Sequence, residues 1–269
     1  RQESAIRMTA DAMADFTGGS TEDARRDRWS HRRQFLLDQG MLAIFGGTVL
    51  LVIVLAAFLI PMLSPFESNG QNLIGRLQGP GWTNADGQRH WLGTDGLGRD
   101  VLIRVFIGAR FSLFISFVAV FGSLMIGTVI GLVAGYRGGL VDDVLMRLVD
   151  LQLAFPLVLL ALALVALIGP SLWNVILVFT LTGWPVFART IRANALMLKK
   201  RDFVEAARGL GASSVRIMCR HILPNSLGPL TVVATFEVAK VLIFESSLSF
   251  LGLGVQAPTP TWGNMMADG

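Results

Sequence analysis

Charged residues vanish from three long stretches of the chain, and apolar residues fill them. Met41–Leu63 runs for 23 residues without a charge, Phe111–Tyr136 for 26 and Leu151–Ala188 for 38. At 1.5 Å per helical residue, about 20 residues cross the hydrocarbon of a bilayer. The first stretch predicts one crossing, ended by Pro61 and Pro65, and the second predicts another. The third is too long for one helix. Gly169-Pro170-Ser171 divides it into a third crossing, flanked by Arg147 and Asp150, and a fourth with Trp173 and Trp184 at interface positions. Ile222–Gly252 predicts a fifth, although it carries Glu237, Lys240 and Glu245. The pattern gives an all-α, multi-pass transmembrane chain with five spans.

Polar segments separate these runs. Residues 1–40 read as a cytoplasmic tail holding Arg25, Arg26, Arg28, Arg32 and Arg33, with Trp29, Phe35, Leu36 and Leu37 marking a short interfacial helix before the span at 41–63. Residues 64–110 read as an extracytoplasmic loop rich in Gly, Pro, Asn and Asp. It ends in an interfacial helix over 99–110, where Arg99, Arg104 and Arg110 interleave with apolar positions. Residues 111–269 form the remaining core. Within the second span, Gly127, Gly131 and Gly135 recur every four residues, a face on which another helix can approach closely.

Composition agrees with lipid as the solvent. Of 269 residues, 52% are apolar and 16% charged, with a mean hydropathy of +0.57, where a soluble domain carries about 25% charged residues. The net charge of +4 sits beside the apolar runs and forms no single basic face, which argues against nucleic acid. One cysteine, Cys219, excludes an internal disulfide and reads as inert packing. Arg1 in place of a starting Met predicts a fragment, and the run at residue 41 is too long for the core of a signal peptide.

Eight cations between Arg189 and Arg220 mark the cytoplasmic side, and four crossings return the N-terminal arginine cluster to that same side. Inside this loop, at about 195–222, Asp202 and Glu205 have the spacing of a capping box, Ala206 and Ala207 favour helix, and Gly209 and Gly211 end it. Pro224 then opens the next helix. A short helix projecting into a partner's groove and a plain capped connector both satisfy this pattern.

Glu205-Ala206-Ala207, then Gly211, then Leu223-Pro224 resembles the E-A-A-x3-G-x9-I-x-L-P loop of ABC importer permeases, with His221 at the usual Ile position. Further blocks are similar to the dipeptide, oligopeptide and nickel branch, in its C-terminal-type permease with a long first periplasmic loop. They are Leu92-Gly93-Thr94-Asp95 with Gly98-Arg99-Asp100, Met146–Asp150 with Phe155-Pro156, Arg220–Asn225, and Leu248–Gly254. The matches cover roughly residues 41–269 in order. The resemblance implies a type I ABC importer permease fold with a sixth span past Gly269, and a place in a bacterial cytoplasmic membrane. It implies a second homologous permease as heterodimer partner, two cytoplasmic ATPase subunits or one fused ATPase, and an extracytoplasmic substrate-binding protein. ATP and Mg would sit on the ATPases, with no cofactor in this chain. Asp202, Glu205, Ala206, Ala207, Arg208, Gly211, Leu223 and Pro224 are the coupling residues so implied. Peptides are the implied cargo; nickel chelates and glutathione are cargoes of similar permeases.

The lysines are Lys199, Lys200 and Lys240, and none follows a glycine, so this chain has no phosphate-cradling Gly-Lys-Ser/Thr loop. Glu237, Lys240, Glu245 and Asp150 are candidates for lining or gating a polar pathway. Glu237 and Lys240, three apart, also fit a structural ion pair at a dimer seam. His31, His90 and His221 lie in separate regions without metal-ligand spacing, and no G-x-S-x-G elbow occurs. An intramembrane enzyme would need such a constellation; a stand-alone carrier would need no docking helix.

Overall fold

The computed structural model describes residues 40–269, so the predicted tail and first interfacial helix lie outside the described residues. Residues up to Leu55 fall in one unit and Ala56–Gly269 in a second, and each is taken by itself. In the first, residues 40–55 belong to helix α1, Gly40–Leu63. Its side chains there are uncharged and almost all exposed, with no buried stripe, a helix apolar on every face as a membrane span is.

The second unit holds the end of α1, a hairpin of β1 (Trp82–Thr83) and β2 (Arg89–His90), and the long helix α2, Val101–Arg137. Then come α3 (Gly139–Leu153), α4 (Leu157–Ile168), α5 (Leu172–Leu198), α6 (Asp202–Gly209), α7 (Ser214–Ile217), α8 (Leu223–Phe250) and α9 (Trp262–Asp268). Among the described residues four runs are long and apolar enough to span: α1, α2, α5, and the continuous Ser214–Phe250. Counting the bent α3–α4 pair as one gives five.

Two boundaries differ from the sequence expectation. The helix expected at 99–110 and the second span are one uninterrupted helix, α2, starting after Asp100. The arginines do not break it because each finds acceptors. Arg104 reaches Asp95 and Asp268, and Arg110 reaches backbone carbonyls of α1. The third span, in turn, is no straight helix: α3 and α4 meet at 83°. Pro156 excludes helical geometry from Phe155 and forces the break. The 12 residues of α4 reach only about 18 Å. Trp173, near the start of α5, is 67% exposed, whereas Trp184 lies mid-helix, away from either interface.

The core is built on α2 against α5. A Cβ added at Gly127 would stand 2.6 Å from Phe187 Cβ, at Gly131 2.9 Å from Ile191 Cβ, and at Gly135 2.7 Å from Ala195 Cβ. The predicted glycine face is therefore where α5 lies, with Phe187, Ile191 and Ala195 fully buried against it. Ser123 extends the seam by donating to the carbonyls of Phe179 and Thr180 at 3.2 and 3.0 Å.

Prolines lie inside α1, α5 and α8, and side chains from other helices meet two of the carbonyls they free. Pro61 withdraws the donor due to the Ala57 carbonyl, and Arg110 Nε supplies one at 2.6 Å while its guanidinium stacks over Phe58. Pro185 likewise orphans the Leu181 carbonyl, and Gln152 Nε2 of α3 donates to it at 2.6 Å.

The segment before α2 is ordered by polar contacts. His90 is stacked between Phe66 and Trp82, with ring centroids at 4.1 and 5.4 Å, and its Nδ1 meets Asp100 Oδ2 at 2.8 Å. Asp100 also caps α2 by accepting from the Ile103 amide. Burial pushes the Asp95 carboxyl upward, but the amides of Arg99 and Leu97 and the Arg99 guanidinium outweigh it, holding Asp95 below the ordinary 3.8.

Gly131→Leu is expected to destabilise the protein by about 1–3 kcal/mol or more, since Ile191 and the Ala188 carbonyl leave no room. Gly46→Ala, where nothing lies within 4 Å, should be neutral or mildly stabilising. Denaturant unfolding in detergent measures both. Gln152→Leu should cost roughly 1–3 kcal/mol in the native background by stranding the Leu181 carbonyl. In a Pro185→Ala background, which restores the helical donor, that penalty should shrink; an unchanged penalty in the double-mutant cycle would refute the pairing.

Candidate functional site: the loop between α5 and α8 and the charges within the spans

The segment between α5 and α8 holds the predicted coupling residues. Arg201, not Asp202, occupies the N-cap of α6, and no side chain caps it. The expected capping box is therefore not formed. Asp202 and Glu205 instead lie in the first turn, where their charge complements the helix dipole. Gly211 ends the turn at φ +80, its amide bonded to the Arg208 carbonyl, a conformation that suits a residue without Cβ. Ser213 caps α7 through the Arg216 amide. A π-turn, Met218–Ile222, leads into α8, with Leu223 and Pro224 in its first turn.

α6 has one anchored side and one open side. Val204 is fully buried, and Ala207 and Ala212 pack against the core. Arg208 lies over the Tyr136 ring at 5.8 Å, and Lys199 Nζ donates to the Gly135 carbonyl at 2.9 Å, so the loop is braced on the last turn of α2. Arg192 adds a two-point ion pair with Asp142 of α3 at 2.5 and 2.7 Å. On the open side stand Asp202, Glu205 and Ala206, with Phe203 44%, Leu210 90% and Val215 64% exposed. These are large apolar side chains left uncovered by the rest of this chain. Cys219 is exposed, not packed as expected, because the π-turn presents it away from buried Ile217 and Ile222.

The four charged candidates within the spans do not converge. Glu237 Oε1 and Lys240 Nζ pair at 2.5 Å, with Glu237 almost buried and the Lys240 side chain 37% exposed. Glu245, eight residues and about 12 Å further along α8, is fully buried among hydroxyls. Ser249 Oγ donates to it at 2.7 Å and Ser112 Oγ at 3.1 Å, while the Trp262 amide donates to Ser112. Glu245 thus joins α2, α8 and α9 and faces no open surface of this chain. Asp150 pairs with Arg189 at 2.5 Å, both half exposed or more. Among the described residues no group of His, Cys, Asp and Glu is arranged to hold a metal.

Sequence reasoning missed Asp142, Gln152, Arg110 and Asp268 as partners. Each bond spans 29 to 169 residues, and no local spacing announces it. Only the rule that a charge or freed carbonyl in a span needs a partner points toward them.

Residues 127–269 match the family described as binding-protein-dependent transport system inner membrane component, and residues 39–80 match the N-terminal TM domain of oligopeptide transport permease C. The chain is 41% identical over 232 residues to the dipeptide transport system permease protein DppC of Alkalihalophilus pseudofirmus, covering 86% of this chain and 74% of that protein. It is 38% identical over 228 residues to the oligopeptide transport system permease protein OppC of Bacillus subtilis, covering 85% and 73%. It is 39% identical over 244 residues to the glutathione transport system permease protein GsiD of Pectobacterium atrosepticum, covering 90% and 77%. A chain of the MetNI methionine ABC transporter in an inward-facing conformation shares the fold at a TM-score of 0.50 and 20% identity, over 59% of this chain and 76% of that one. These relatives are transport permeases, and the reading as a transport subunit without catalysis of its own rests on them. The chain belongs to the binding-protein-dependent transport system inner membrane component family, the membrane permeases of ABC importers.

Proposed function

We propose that this chain is one permease of an ATP-driven peptide importer, and that α6 couples it to an ATPase. The observation that carries the coupling is the two-sided geometry of α6: Val204 and Ala207 fix it to the core while Glu205, Ala206 and Leu210 face outward. A plain connector needs the first side and not the second. Dipeptides and oligopeptides are the cargo that the similar permeases are named for; glutathione, itself a small peptide, is the second reading.

In this reading the cations of residues 189–221 and the N-terminus lie in the cytoplasm, and residues 64–100 face outward. A second permease completes the pathway, two ATPase domains hold ATP and Mg, and an extracytoplasmic protein delivers the peptide. The Glu237–Lys240 pair belongs to the seam with the second permease. Its charges already neutralise each other, and it shares α8 with the exposed Val232, Phe236 and Ile243.

In the intact complex, Glu205→Ala and Leu210→Asp should each lower substrate-stimulated ATP hydrolysis at least tenfold, about 1.4 kcal/mol of coupling or more, with the complex still folded. Unchanged stimulation would remove the coupling role. Import of labelled dipeptides, longer peptides and glutathione by the same complex decides the cargo, and failure of all three would overturn the peptide reading.

Glu237→Leu alone should weaken co-purification of the second permease by leaving Lys240 unpaired, whereas the double Glu237→Leu, Lys240→Leu variant should assemble and transport nearly normally. An assembled but inactive double variant would place the pair in the pathway instead.

A further inference from the structure

A groove of about 370 Å³ lies between the C-terminal end of α1 and the first turn of α2. Its walls are Ile60, Leu63, Leu102 and Ile103, and its rim includes Arg89 and Trp91 from the β2 strand and the residue after it. Because α1 stops at Leu63 and α2 begins at Val101, the groove sits where hydrocarbon gives way to water. Its walls continue directly into the lipid-facing surface, where Met62 and Leu63 are 79% and 82% exposed.

The rim is rich in donors. The Arg89 guanidinium lies over the Trp91 ring at 4.7 Å, with its Nη2 beside Gly81, an arrangement that occupies one of its faces. Among the described residues Arg89 has no acidic partner within 4.0 Å and its side chain makes no hydrogen bond. Arg99, Arg104, Arg110, Arg189 and Arg192 each have one or the other; other arginines, Arg76 among them, lack both as Arg89 does but do not line this groove. The acid that lines the groove, Asp100, is 3% exposed and committed to His90 and the Ile103 amide. A half-open apolar channel with an uncommitted guanidinium and an exposed indole at its mouth matches a molecule with an anionic head and an apolar tail.

We propose that this groove binds an anionic phospholipid, its phosphate on Arg89 and its glycerol and upper acyl chain along Ile60, Leu63 and Leu102. The lipid would bind at the junction of the α1 end, the hairpin and the α2 N-terminus, each of which contributes a wall. The inference needs the membrane-spanning reading and is independent of what is transported.

Native mass spectrometry of the protein released from nanodiscs of mixed phosphatidylglycerol and phosphatidylcholine tests it. Phosphatidylglycerol should be retained in preference, and Arg89→Gln should reduce that retention roughly fivefold, the effect of one cation at a lipid surface. Arg76→Gln removes an exposed arginine of the same segment that does not line the groove, and should leave retention unchanged. Inorganic phosphate in excess should not compete. Equal retention of the two lipids, equal loss in both variants, or displacement by free phosphate would each overturn the proposal. Unaltered thermal unfolding of Arg89→Gln in detergent separates lost binding from lost fold.

Discussion

A carbonyl or charge enclosed by lipid has no water to turn to, and this constraint organises the structure more than apolar burial does. Pro61 and Pro185 each strand one carbonyl, and a side chain from a different helix supplies the missing donor. Those donors, Arg110 and Gln152, tie α2 to α1 and α3 to α5. Glu245 follows the same rule with hydroxyls in place of a cation, and so fastens α9 to α2 and α8. The polar residues that look least suited to a membrane are thus among those that join its helices.

Between lipid-embedded helices there is little hydrophobic gain, so close fit has to supply the attraction. The α2–α5 seam achieves it by removing side chains from one helix and placing Phe187, Ile191 and Ala195 in the space. That seam also ends at the loop between α5 and α8. Lys199 grips the last turn of α2, Arg208 lies on Tyr136, and α6 leaves its other side open. α6 is therefore braced on the end of a helix that packs closely against α5.

The candidate charges show why a residue's position within a span does not by itself give its role. Glu237, Glu245 and Asp150 were equivalent on the page of letters, each an acid in or beside an apolar run. Their surroundings separate them: Glu237 is neutralised by a neighbour on its own helix, Glu245 is sealed by hydroxyls from α2 and α8, and Asp150 meets Arg189 near a helix end. The i to i+3 pairing was legible because helix geometry fixes it. The others depend on contacts across long stretches of chain.

The sequence alone determined that the chain crosses a membrane, where most of its helices lie, and that a glycine face and a short loop helix matter. Each of these is local: hydropathy over about 20 residues, a repeat of four, a run of caps and breakers. Tertiary structure decided that α2 absorbs the helix expected at 99–110, that α3 and α4 meet at 83°, and that Arg201 and not Asp202 stands at the N-cap position of α6. It also decided which partner each buried arginine and freed carbonyl finds. Those outcomes turn on groups brought together from up to 169 residues apart, and no spacing rule reaches so far.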